Sequence, residues 1–197
     1  MRRIAILLAL AAAAGCGQAE QPYTPRQAPV QATGEATEQA TPSGSEPPAT
    51  VGVGDELEVR VAWPDKVDQL VRLFPEFYAD SWAAVVSGGD RYLRHVEPTL
   101  IPDSVEWVAG FTGKGQSVKG VVRLYDLKTT VMGKGAQVDV CVDETRMTIV
   151  SADTGKAISP QPDSSRAPYL QTMLAHRGDD GVWRIRQFSN SKEGCSP

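Results

Sequence analysis

Apolar periodicity is confined to one stretch of this chain, residues 55–197. All four Trp and all four Phe fall inside it. Residues 17–54 instead carry Pro22, Pro25, Pro29, Pro42, Pro47 and Pro48 among Thr, Gln, Ala and Glu, with no apolar repeat. A segment of that composition cannot bury enough surface to offset its chain entropy. It reads as a disordered tether with an r.m.s. span of roughly 35 Å. The foldable part is therefore one domain of 143 residues, an ordinary size for a single core.

The chain opens on Met1-Arg2-Arg3, then an apolar run from Ile4 to Ala14, then Gly15-Cys16. Two arginines before 11 apolar residues make a signal-peptide pattern. The run is too short for a membrane span, which needs about 20 residues. Ala13 and Gly15 are small enough to admit a peptidase, and the cysteine directly after them resembles the lipobox of bacterial lipoproteins. The expectation is cleavage before Cys16, lipid on Cys16, and anchorage on the extracytoplasmic face of the cell membrane. Ile4-Ala5 does not continue a twin-arginine motif, so the pattern leans towards the general export route. One acyl chain binds a bilayer only marginally and two bind stably, and such lipoproteins carry at least two. The organisation is then 1–15 signal peptide, 16–54 lipidated cysteine and tether, and 55–197 domain.

Within the domain the expected fold class is α+β. Leu57, Val59, Val61 and Trp63 alternate with polar or small residues and predict a strand over 56–63. Asp65 is the expected N-cap of a long helix over about 66–87, bent at Pro75 and stopped by Gly88-Gly89. Tyr78, Asp80 and Trp82 lie on it; Tyr78 and Trp82 read as core. Asp90 and Asp103 each cap a further short helix, the second with Trp107 and Phe111 one turn apart. Strands follow over 118–127, 136–150, 168–177 and 182–188. Lys128–Gly135 reads as a connection, and Asp180-Gly181 as a tight hairpin turn.

Charge excludes some partners. The chain has a net charge of −4. No basic stripe is present for nucleic acid, and no polybasic patch for a membrane surface. The cysteines have two expected fates. Cys16 takes lipid, leaving Cys141 and Cys195 as an even pair in an oxidising compartment, where a disulfide is expected. No histidine stands near either in sequence, so a metal site is not expected.

The residues also carry a resemblance. Val140-Cys141-Val142-Asp143, Thr154-Gly155-Lys156, Gly181-Val182-Trp183-Arg184-Ile185 and Gly194-Cys195 resemble a set of actinobacterial exported lipoproteins. The Leu57–Trp63 strand and the Ser87-Gly88-Gly89-Asp90 break fit as well. The resemblance covers most of 55–197. It implies an NTF2-like, cystatin-like cone, with N-terminal helices packed in a curved antiparallel β-sheet. That fold hosts ligand pockets, dimer surfaces and active sites alike, so it does not choose a function.

Catalytic motifs are sparse. Gly113-Lys114, Gly133-Lys134 and Gly155-Lys156 could each end a P-loop, but Val108, Lys128 and Val150 stand where its first Gly belongs. No Gly-x-Ser-x-Gly elbow is present. His95 and His176 read as surface or satisfied histidines. Asp139, Asp143 and Glu144 put three carboxylates on one strand. They read as a solvated outer face beside the disulfide, with Val138, Val140 and Val142 inward. No catalytic residue, metal or cofactor is assigned. The expectation is a non-catalytic domain that binds an envelope partner or a small ligand. The alternative is an isomerase or dehydratase using a carboxylate or His in the cone. Trp82 and Trp107 filling the cone would speak against that alternative. For the anchor, Cys16→Ala should shift the protein from the membrane fraction to the soluble fraction. Unchanged membrane association of that variant would refute lipidation.

Overall fold

A computed structural model describes residues 49–195. The signal segment, Cys16 and the tether up to residue 48 lie outside the described residues. The end of the expected tether does fold. Thr50–Val53 forms β1, antiparallel to β2 (Leu57–Val61), with Val53 opposite Leu57. Gly54, at φ +61°, supplies the left-handed turn between them. Two glycines and a Pro-rich flank masked a strand of four residues with only two apolar side chains.

Helix α1 (Gln69–Ser87) starts later than expected. Its N-cap is Asp68 rather than Asp65: the Asp68 carboxylate accepts from the Val71 N–H at 2.9 Å. Gly88, at φ +80°, ends it. Two short 3-10 turns, Arg91–His95 and Pro98–Leu100, lead into α2 (Ile101–Thr112). Asp103 lies in the first turn of α2 and makes no capping bond; its charge there still suits the helix dipole.

Four long strands follow: β3 (Gln116–Met132), β4 (Gly135–Ser151), β5 (Tyr169–Arg177) and β6 (Trp183–Ser191). The expected connection over 128–135 is mostly strand, since Met132 pairs with Gly135 across a turn at Gly133-Lys134. Val131 and Met132 are exposed there, so no buried face marks the sequence as β. The six strands lie in chain order in one sheet. The sheet is mixed rather than wholly antiparallel. β2 and β3 run parallel, with Val59 opposite Val122. The crossover between them carries α1 and α2, long enough for a parallel return.

β-bulges shape the sheet. β3 shifts register against β4 between Val121 and Arg123 and again between Tyr125 and Lys128, and β5 against β6 between Leu174 and Ala175. Bulges bend a strand and raise its twist. Gly120 sits just before the first shift at φ +112°, where a Cβ would collide with the Arg146 carbonyl. That shift also changes parity along β4. Val138, Val140 and Val142 face the core before it, and Met147 and Ile149 after it. α1 packs on this inner face through Leu70, Phe74 and Trp82. On the opposite face Cys141 stands at disulfide distance from Cys195, with Cα atoms 5.7 Å apart and a sequence separation of 54. The pair ties the C-terminal end to the back of the sheet, and Gly194 lies against Leu170. A cross-link of this kind typically contributes about 2–4 kcal/mol.

Candidate functional site

The three carboxylates of β4 do not share one environment, contrary to the expectation of a solvated outer face. Asp139 is half-buried and accepts from Thr172 Oγ1 at 2.6 Å and from Gln137. Asp143 is buried and accepts from the Thr145 backbone N–H at 3.0 Å and its hydroxyl at 2.6 Å, with Arg123 at 3.8 Å. Glu144 continues the inward parity of Val138, Val140 and Val142 up to the bulge. Its side chain enters the space between sheet and helices and is 4% exposed.

Two tyrosines meet it there. Tyr78 of α1 donates to Glu144 Oε1 at 2.5 Å, and Tyr169 of β5 donates to the same oxygen at 3.1 Å. Tyr169 reaches it because it pairs with Val142 and so faces inward. Burial is the main reason that both phenols hold their protons well above the usual tyrosine range, and the Glu144 charge adds to it. Among the described residues no Lys, Arg or His forms an ion pair with Glu144.

This cluster lies at the wall of a half-open cleft of about 600 Å³. The floor is the inner face of β4–β6, including Gln171, Phe188 and Asn190. The roof is α1, through Phe74, Phe77 and Trp82, and α2, through Trp107. A neighbouring cavity of about 550 Å³ shares Trp82, Trp107, Glu144, Tyr169 and Asn190. Trp82, Trp107 and Phe111 contact one another edge-on, with ring centroids 4.9–5.1 Å apart. They wall the cleft without filling it, and Trp107 is 43% exposed. The Trp82 Nε1–H is buried without a hydrogen-bond partner, although it lies near enough to Tyr78 to oppose slightly the rise of that phenol's pKa.

Neither histidine lines the cleft. His95 is buried with Nε2 2.9 Å from Asp80 Oδ2, and Arg94 reaches the same oxygen at 3.1 Å. Its partner is fifteen residues upstream on α1, not the Asp90 or Glu97 adjacent in sequence. His176 Nδ1 lies 3.1 Å from Glu97 Oε1, and Arg186 Nε donates to Glu97 Oε2 at 2.9 Å. Both read as satisfied structural histidines. Among the described residues no cluster of His, Cys, Asp and Glu could hold a metal ion.

No family model matches the chain, and no curated protein matches it. Among solved structures, the chain is similar to a putative ketosteroid isomerase from Shewanella frigidimarina. Identity is 16%, the match covers 61% of this chain and 92% of that one, and the TM-score is 0.32.

The tyrosines make alkaline pH the informative range. In the unfolded chain they ionise near pH 10. In the folded chain both pKa values are raised, so their contribution to stability is intact below about pH 10 and is lost as pH rises beyond it. Denaturant unfolding should show a decline in stability above about pH 10 that Tyr78→Phe reduces. A decline unaffected by that substitution would contradict the placement of Tyr78.

Proposed function

We propose that the protein is an extracytoplasmic lipoprotein, held at the membrane by lipid on Cys16, whose α+β domain is an NTF2-like cone that binds a small ligand. The anchor rests on the Ala13–Cys16 motif, and the cone on the motif resemblance together with a helix packed on the inner face of a bulged sheet. The observation that carries the binding role is the half-open aromatic cleft of about 600 Å³. Pockets for small molecules commonly run from about 300 to 1,000 Å³, apolar with a few convergent polar groups. Phe74, Phe77, Trp82 and Trp107 supply the apolar walls, and Glu144, Gln171 and Asn190 the polar groups.

A second reading draws on Glu144 itself. A carboxylate in an aromatic cleft beside two phenols could move a proton, as an isomerase or dehydratase must. Against it, both hydroxyls are donated to the carboxylate and neither is turned to the cavity. An arrangement that spends its donors internally is organised for binding.

The test fills the cleft without disturbing the core. Gln171 faces the cleft from β5 and is only partly buried. An uncharged aromatic probe, N-phenyl-1-naphthylamine, should bind the folded protein at one site. Gln171→Trp should weaken it by at least about tenfold while leaving thermal unfolding in place, because the indole occupies the ligand's space. Equal binding by the variant, or none by the parent protein, would overturn the reading.

A further inference from the structure

Glu144 is a buried carboxylate without a cation. Buried charges are ordinarily paired, because burial removes the water that would stabilise them. Here two neutral phenols converge on Oε1, and Oε2 accepts from no side chain among the described residues. The other charges around the cleft do not compensate. Arg186 lines it but is engaged by Glu97. Arg166 and Lys192, beside the neighbouring cavity, both face Asp163. Asp103, at the exposed edge of the cleft on α2, forms no ion pair among the described residues. The cleft thus offers two acidic groups without a cationic partner among the described residues, and Arg186, which lines it, is already paired.

The walls suit the same kind of guest. Aromatic π-faces attract cations, most strongly where water is excluded. Trp107 exposes much of its ring at the cleft, and Phe77 and Phe188 stack at 5.0 Å along another side.

Resting on the ligand-binding reading above, we infer that the cleft takes an organic cation, an amine or quaternary ammonium compound. Its charge sits against Glu144 and the aromatic walls. An anionic guest would face Glu144 and Asp103 unpaired. A purely apolar one would leave Glu144 Oε2 without a partner, a penalty that sites with buried polar groups impose on incomplete ligands. The ammonium could belong to a free metabolite or to a lipid headgroup; the chemistry at Glu144 is the same.

The test compares isosteres that differ only in charge. The exported protein is placed in phosphatidylglycerol nanodiscs, which bring no ammonium group. It is titrated calorimetrically with choline and with an arylalkyl trimethylammonium, each against its neutral analogue carrying a tert-butyl group instead. The cations should bind roughly tenfold more tightly than their analogues. Glu144→Gln, which keeps an oxygen for the tyrosines, should abolish the preference without lowering the melting temperature by more than a few degrees. Phosphatidylcholine nanodiscs then identify the source: loss of choline binding there marks a headgroup, and unchanged binding marks a free cation. If cation and analogue bind equally while N-phenyl-1-naphthylamine still binds, the cation inference falls and the ligand cleft stands. If no probe of any charge binds, the ligand cleft itself is wrong.

Discussion

One carboxylate joins the two layers of this domain. Glu144 projects from β4 into the interlayer space, and takes a hydrogen bond from Tyr78 on α1, 66 residues earlier, and another from Tyr169 on the adjacent strand. Hydrogen bonds to a charged group typically contribute about 1.5–3 kcal/mol each, and leaving such a group unsatisfied costs more. The contact fixes the distance between helix and sheet at one edge of the core, where a continuous valine layer would instead have closed the gap. On the other side of it, Val138, Val140 and Val142 pack fully. Towards the bulge, the aromatic side chains splay around open volume. The cleft is thus a consequence of placing an ionisable group where the valine pattern would have continued.

The remainder of the polar structure holds α1 and the 3-10 turns in position around that volume. Asp80 gathers His95 and Arg94 on the far side of the helix, and Phe77 contacts both the His95 ring and Phe188 of β6. Glu97 ties the segment before α2 to His176 and Arg186 on β5 and β6. These contacts occupy charges that would otherwise compete for a guest in the cleft, and so leave Glu144 and Asp103 as acidic groups of the cleft without a cation among the described residues. On the back of the sheet Cys195 ties the C-terminal end to Cys141, a constraint on the strand that carries Glu144 three residues later.

Much of this was legible in the residues. Alternating valines placed β4, and helical spacing placed Tyr78 and Trp82 on the inner face of α1. The α+β class follows from helices preceding long strands. The parallel pairing of β2 with β3 was not legible, because strand direction depends on a connection rather than on a pattern. β1 was too short and too glycine-rich to stand out from the tether beside it. The site was missed for a more specific reason. Glu144 has the parity of Val138, Val140 and Val142, which was available from the sequence. An acidic side chain nevertheless reads as solvated beside Asp139 and Asp143, and only the phenols of Tyr78 and Tyr169 make its burial tolerable. His95 was similarly opaque, since its partner Asp80 is brought to it by the turn after α1 and not by proximity along the chain.

The account depends on both phenols donating to Glu144, and proton NMR of the folded protein observes that directly. Hydroxyl protons of buried tyrosines bonded to a carboxylate exchange slowly and resonate far downfield. Two such signals should appear, assigned to Tyr78 and Tyr169, and both should move when Glu144 is replaced by Gln. Tyrosine hydroxyls that all exchange freely with water, or protected signals indifferent to Glu144→Gln, would contradict it.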